Sequence, residues 1–271
     1  MESPHSSSGA LAGIVHPART ERARVMLNRL IFRGMLFTMG SITVALHQLW
    51  PWKRLAWSFA RLSARNLGRA CGVRVRVHGR EHLMGPGPYI FAPNHQSHFD
   101  IAALLGYLPG HNRFVAKKEL FGEPVLGTVL RTLGMVPIDR RDPADAIARL
   151  NRAASKGFSL IIFPEGTRSR DGSLLPFKKG AFIAAIHLQL PVVPVVCRGT
   201  RAVMPAGGYL AIVPGDVDLF IERPIPTIGL GYEDRGALLD RVRTVIATRL
   251  AEPPTPATPT APLEIRAPTS V

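Results

Sequence analysis

Residues 88–108 read "PYIFAPNHQSHFDIAALLGYL". A short apolar run ends at Ala92, a polar loop follows, and a longer apolar run begins at Phe99. The first length suits a buried strand, and the second, entered through a serine and an aspartate, suits a helix. The same texture recurs beyond Cys71. Candidate strands are "VRVRVHG" from Val73, "PYIFA" from Pro88, "RFVAK" from Arg113, "MVPID" from Met135, "FSLIIF" from Phe158, "PVVPVV" from Pro191 and "VDLFIE" from Val217. Most are apolar throughout, as strands covered on both faces should be. Asp142 and Pro143 supply the N-cap and first position of a helix, "PADAIARLNRAASK", that stops at Gly157. A last amphipathic run from Arg235, "RGALLDRVRTVIATRL", closes the fold. The expectation is α/β: one domain with a central mixed, largely parallel sheet flanked by helices, preceded by an N-terminal membrane-associated two-helix segment. No internal repeat or composition break between Val73 and Leu250 marks a second core.

Chain composition limits the partners. The formal charge is +15 over 271 residues, and a field of that sign gathers phosphates, nucleic acid or acidic lipid without choosing among them. Cys71 and Cys197 are far apart and outside any C-x-x-C spacing, so neither a disulfide framework nor a zinc knuckle is suggested, and a reducing compartment fits. Residues 1–24 and 251–271 are read as disordered tails; the second is rich in Pro, Thr and Ala and poor in large apolar groups. The N-terminal apolar run starts too late for a secretory signal and lacks a small-residue cleavage pattern after it.

Residues 25–70 form the expected membrane-facing unit, ahead of an α/β domain over 71–250. From Gly34 to Trp50 there is no Asp, Glu, Lys or Arg, and a helix of that run would extend roughly 25 Å, marginal for a crossing. Arginines precede it and basic residues follow, whereas a span wants one basic flank. The next stretch places Trp52, Leu55, Phe59 and Leu62 at helical spacing, with Arg54, Arg61, Arg65 and Arg69 largely elsewhere. It reads as an amphipathic helix whose basic face meets headgroups while Trp50, Trp52 and Trp57 sit at interfacial depth. A hairpin dipping into one leaflet, a buried helical pair and a single span all remain open.

Within "NHQSHFD", Ser97 and Asp100 have the spacing of a capping box, which leaves His95 unexplained. The box points the Asp100 carboxylate back toward His95, so cap and catalytic pair can coexist. An imidazole held by a carboxylate at one nitrogen offers the other as a general base. There is no G-x-S-x-G elbow and no activated thiol, so the nucleophile belongs to the substrate on this reading. His95, His98 and Asp100 could instead ligate a metal, although no zinc spacing is present. A second constellation follows "FSLIIF": "PEGTRSRDG", with Gly166 allowing close backbone approach, Thr167 a hydroxyl and Arg168 a fork for phosphate oxygens. Lys117, Lys178 and Lys179 are further cations.

"NHQSHFD", "GMVPIDR", "FPEGTRS" and "PVVPV", in this order and spacing, resemble the four sequence blocks of the glycerolipid acyltransferase family, over about residues 70–225. The resemblance implies that His95 is the general base and Asp100 orients it. It implies that Gly134, Ile138 and Arg140, with Glu165, Gly166, Thr167 and Arg168, bind the glycerol phosphate acceptor and that Lys117 assists with its phosphate. Pro194 falls in the fourth block, linked to acyl-donor binding or local structure. The implied reaction carries an acyl group from acyl-CoA or acyl-ACP to the sn-2 hydroxyl of lysophosphatidic acid, with no metal and no cofactor beyond that co-substrate. The implied location is the cytoplasmic face of the inner membrane, monotopic or single-pass, on a membrane lipid surface. Other lysolipids or glycerol 3-phosphate are alternative acceptors. A non-catalytic nucleic-acid or membrane-surface binder is the rival class; no RNA-binding signature, helix-turn-helix spacing or aromatic interleaving supports nucleic acid.

Overall fold

The computed structural model describes residues 19–48, 53–83, 85, 87–205 and 212–253. Seven strands form one sheet: β1 (Val73–His78), β2 (Ile90–Pro93), β3 (Asn112–Lys117), β4 (Val136–Ile138), β5 (Ser159–Ile161), β6 (Val192–Arg198) and β7 (Gly215–Ile221), in spatial order β1-β7-β6-β2-β5-β3-β4. Every pairing is parallel except β6 with β7. All seven candidate strands are present, in the mixed, largely parallel sheet expected.

The side-chain period of two explains why these strands read as apolar throughout. On β6, Val193, Val195 and Cys197 enter one core while Val192 and Val196 enter the other. Phe91 and Ile161 face the first core, and Ile90 and Leu160 the second. The first face is covered by α1 (Arg19–Gln48), α2 (Lys53–Ala70), α3 (Phe99–Tyr107) and α4 (Pro124–Thr132). The second is covered by α5 (Pro143–Ala154), α6 (Gly180–Leu188) and, beyond the short α7 (Thr200–Val203), α8 (Arg235–Ala251). Asp142 caps α5 as expected, its carboxylate accepting from the Asp145 backbone N–H at 3.0 Å.

The front end departs from expectation in two ways. α1 begins at Arg19, inside the segment assigned to the N-terminal tail, and buried Asn28 ties it to the body by donating to the carbonyls of Cys71 and Ile212. Arg61 and Arg65 are also not left for headgroups. They donate to the carbonyls of Leu108, Gly110 and Gly106, the carbonyl end of α3, where cations oppose the negative end of the helix dipole. Burial, then the fields of Arg65 and Arg80, holds Arg61 below its ordinary basicity. The apolar ridge itself lies outward, with Leu55 and Leu62 on α2 and Phe37 and Ile42 on α1 all exposed. Trp50 and Trp52 lie outside the described residues. Among those described, no helix is long and apolar enough to cross a membrane.

Candidate active site

β2 and β5 are neighbours, paired at Ile90 with Leu160 and Phe91 with Ile161. Their exit loops, carrying His95 and the Glu165–Arg168 turn, therefore emerge side by side at the carboxyl end of the sheet, where open α/β sheets take ligands. The β2 loop is fixed at several points. Buried Asn94 brackets Cys197 on β6, donating to its carbonyl at 3.1 Å and accepting from its N–H at 2.7 Å. Ser97 donates to the Met204 carbonyl and accepts from the Phe99 N–H, and Asp100 accepts from the Ser97 N–H. Asp100 thus reaches back to Ser97 as expected of a capping box, but the Ser97 hydroxyl takes the Phe99 N–H in place of the Asp100 N–H, and the regular helix starts at Phe99.

The same carboxylate holds His95. Asp100 Oδ2 lies 2.7 Å from His95 Nδ1 and also accepts from the backbone N–H of Gln96 at 2.8 Å. Asp100 is fully buried, while the His95 side chain keeps 14% of its surface. A carboxylate on Nδ1 favours the tautomer in which Nε2 is free to accept a proton. The ring is also stacked on Phe163, 4.0 Å between centroids. Tether and stack together fix both the direction and the plane of the imidazole.

Cations gather beside it. Gly166 has φ +68°, and a Cβ there would meet Arg140 Nη2 at 3.0 Å and Lys178 Cδ at 3.1 Å. Only glycine fits that turn without strain. Arg140 donates to the Gly166 carbonyl at 3.1 Å, which joins the second and third sequence blocks. Lys117 and Ile138 are register partners at the carboxyl ends of β3 and β4. Lys117 and Thr167 are exposed and Arg168 half-buried. Lys179, also exposed, precedes α6.

On the first face of the sheet lies a large apolar cavity of about 880 Å³, walled mainly by α1 to α4. Small residues on facing helices open it: Gly40 on α1, Ala60 and Ala64 on α2, Ala102 on α3. His98 and Phe99 contribute to its wall directly after the His95 loop. Burial first, then the charges of Arg168 and His95, holds the His98 imidazole below its ordinary range, so at neutral pH it is an uncharged group on that wall.

The profile of the family described as Acyltransferase matches residues 74–198, which include the His95 loop and the Glu165–Arg168 turn. The 1-acyl-sn-glycerol-3-phosphate acyltransferase alpha of Ovis aries is 35% identical over 67% of this chain and 64% of its own length. A chloroplastic 1-acyl-sn-glycerol-3-phosphate acyltransferase from Brassica napus is 40% identical over 64% of this chain and 50% of its own. The crystal structure of the 1-acyl-sn-glycerophosphate (LPA) acyltransferase PlsC from Thermotoga maritima superposes with TM-score 0.69 at 28% identity, covering 87% of this chain and 100% of that one. The chain carries an acyltransferase-family domain. It spans about half to two thirds of the length of the curated relatives it matches.

Three residues that the family blocks pointed to do not stand open beside the His95 loop. Gly134 (φ +65°) ends the turn after α4 beside Arg113, at the opposite end of β4 from Ile138. Pro194 is buried within β6 against Ala92 of β2. Glu165 is buried with both oxygens committed, Oε1 to the His95 N–H at 2.6 Å and Oε2 to the Leu175 N–H at 3.0 Å, so it positions the loop instead of facing an acceptor. Burial holds its carboxyl above the ordinary range in spite of those donors. Sequence reading missed Phe163 and Asn94. Both open quoted motifs, "NHQSHFD" and "FPEGTRS", but each acts through a partner distant in sequence.

Among the described residues no group of three or more His, Cys, Asp or Glu side chains is placed to hold a metal ion. Both thiols are buried, and burial raises Cys71 and lifts Cys197 well above the ordinary thiol range. Neither is poised as a nucleophile.

Proposed function

We propose that the protein transfers an acyl group from an acyl thioester to the sn-2 hydroxyl of 1-acyl-sn-glycerol 3-phosphate, giving phosphatidic acid. The observation that carries this reading is the His95–Asp100 pair, 2.7 Å apart, on a loop that adjoins the Gly166 turn with its cations and leads directly into His98 and Phe99 of the cavity wall. The acceptor's phosphate is held by Arg168, Arg140 and Lys117, with Lys178 nearby. A bound phosphate fixes the hydroxyl beside Nε2, which turns an encounter of two substrates into an oriented reaction.

His95 Nε2 takes the hydroxyl proton as the oxygen attacks the thioester carbon. The tetrahedral intermediate collapses with cleavage of the C–S bond, and the thiolate leaving group recovers the proton from the imidazolium. Asp100 stabilises that imidazolium from the Nδ1 side. No acyl-enzyme is required, in keeping with two inert thiols. The cavity receives acyl chain, since 880 Å³ lies near the upper end of the ~300–1,000 Å³ typical of ligand pockets. The exposed apolar ridge of α1 and α2, in a chain of net charge +15, supports attachment to one face of an anionic membrane at its cytoplasmic side.

Thiol release from oleoyl-CoA in anionic vesicles, with lysophosphatidic acid supplied or withheld, tests the reading. Release that depends on lysophosphatidic acid and yields phosphatidic acid is expected. Equal release with and without acceptor would contradict it, and preference for glycerol 3-phosphate or another lysolipid would reassign the acceptor.

A further inference from the structure

Beyond the acyl cavity lies a second, smaller one of about 340 Å³, lined by Lys118, Phe121, Arg131, Met135, Pro137 and Arg149. Met135 belongs to the walls of both. The smaller cavity sits at the open edge of the sheet, because β4 is the last strand in the order and bears Pro137. Lys118 and Phe121 come from the 3₁₀ turn Lys118–Gly122 that follows β3, Arg131 from α4 and Arg149 from α5. Two apolar side chains and an aromatic ring thus share the lining with three cations.

The cations are set in place and not fully neutralised. Arg131 donates to the Phe121 carbonyl and to Thr128 Oγ1, which fixes the guanidinium beside the aromatic residue. Arg149 Nε pairs with Asp145 at 2.6 Å, leaving its two terminal nitrogens. Lys118 makes no ion pair among the described residues. Asp145 is the one carboxylate in an ion pair with these three cations among the described residues, and it is drawn below its ordinary range by Arg149 first, then by the fields of Lys118 and Arg152.

An aromatic and aliphatic lining interspersed with several cations is the chemistry that takes a phosphorylated nucleoside: the base packs on the apolar groups, and the phosphates meet the cations. Three strand spacings separate β2 from β4, roughly 14 Å at ~4.8 Å each. The pantetheine arm of coenzyme A is comparable to about five extended residues, roughly 17 Å, and so bridges from a thioester at His95 to this cavity.

We propose that this cavity binds the 3′-phosphorylated adenosine diphosphate portion of coenzyme A, so that the donor is held at both ends. The inference rests on the acyl-transfer reading for its meaning, but its test does not need turnover. Equilibrium binding of free coenzyme A and of dephospho-coenzyme A is measured on the whole protein, wild type and Lys118→Glu, with Lys118→Met as the milder variant. Lys118 is exposed, and an unchanged melting temperature confirms the fold. Binding of coenzyme A that weakens tenfold or more on loss of either the 3′-phosphate or the Lys118 charge is expected. Equal affinity for all four combinations would overturn the proposal and leave these cations as guards of an open strand edge. A second arm compares palmitoyl-CoA with palmitoyl-acyl carrier protein as donors. A rise in KM confined to palmitoyl-CoA supports the site, whereas one confined to the carrier-protein donor would overturn it in favour of protein docking.

Discussion

The Glu165 carboxylate lies 2.6 Å from the backbone N–H of His95, so the acid of one sequence block fixes the loop that carries the histidine of another. Its second oxygen holds the Leu175 N–H, and the Ser169 N–H returns to the His95 carbonyl at 2.8 Å. The loop bearing His95 is thus clamped from both sides.

Replacing Glu165 by Gln puts an amide N–H2 against one of two buried backbone donors. Stability should fall by about 1–3 kcal/mol, and kcat by on the order of 10²-fold as His95 moves off its line. The KM for lysophosphatidic acid should change little. A large rise in that KM at constant kcat would instead place Glu165 against the acceptor.

Phe163 supports the imidazole plane at 4.0 Å. Phe163→Ala removes a stacking contribution of about 0.5–1.5 kcal/mol, and kcat should fall by roughly two- to tenfold from freer ring orientation. Phe163→Tyr should retain most of the activity. Steady-state rates of the two variants at saturating substrate check this, and equal losses in both would refute an orienting stack.

Chain length should be set by the small residues that open the large cavity. Ala102→Phe places a ring in the wall between α3 and its neighbours, and the preferred donor should shift by several carbons toward shorter chains. A competition assay with saturated acyl-CoA donors of graded length reads the shift. An unchanged length profile would mean that the acyl chain lies elsewhere.

Asp171 should contribute to the acid limb of stability. Its carboxylate accepts from the Ser173 hydroxyl, the Ser173 N–H and the Ser169 hydroxyl, which lower its pKa from 3.8 to about 2. A depressed folded pKa contributes stability above the unfolded value and loses it as pH falls through the folded one. The turn next to the His95 loop should therefore weaken between about pH 4 and about pH 2. Asp171→Asn should flatten that part of a melting temperature against pH curve. An unaltered slope in the variant would assign the acid limb to other carboxylates.

Much of the fold could be read from strands such as "FSLIIF" and "PVVPVV", because burial on both faces leaves no polar alternation to confuse the period. The dyad was legible because His95 and Asp100 are only five residues apart and share a cap. Roles that depend on distant partners were not. Glu165 looks like a ligand-facing acid until the His95 N–H is found above it, and Arg61 looks like a headgroup contact until the α3 carbonyls are found at its tip. Pro194 sits in a motif, yet the parallel pairing with β2 buries it. The cavity arises from Gly40, Ala60, Ala64 and Ala102 on separate helices, a conjunction no local pattern announces.

The most direct test of the central claim removes the base. His95→Ala, compared with wild type at matched expression and melting temperature, is assayed for phosphatidic acid formation from oleoyl-CoA and lysophosphatidic acid. General-base assistance is worth typically 10²–10⁴-fold, so the account predicts a loss of at least about 10²-fold in kcat with the KM for lysophosphatidic acid nearly unchanged. Activity of the variant within a few-fold of wild type would contradict it.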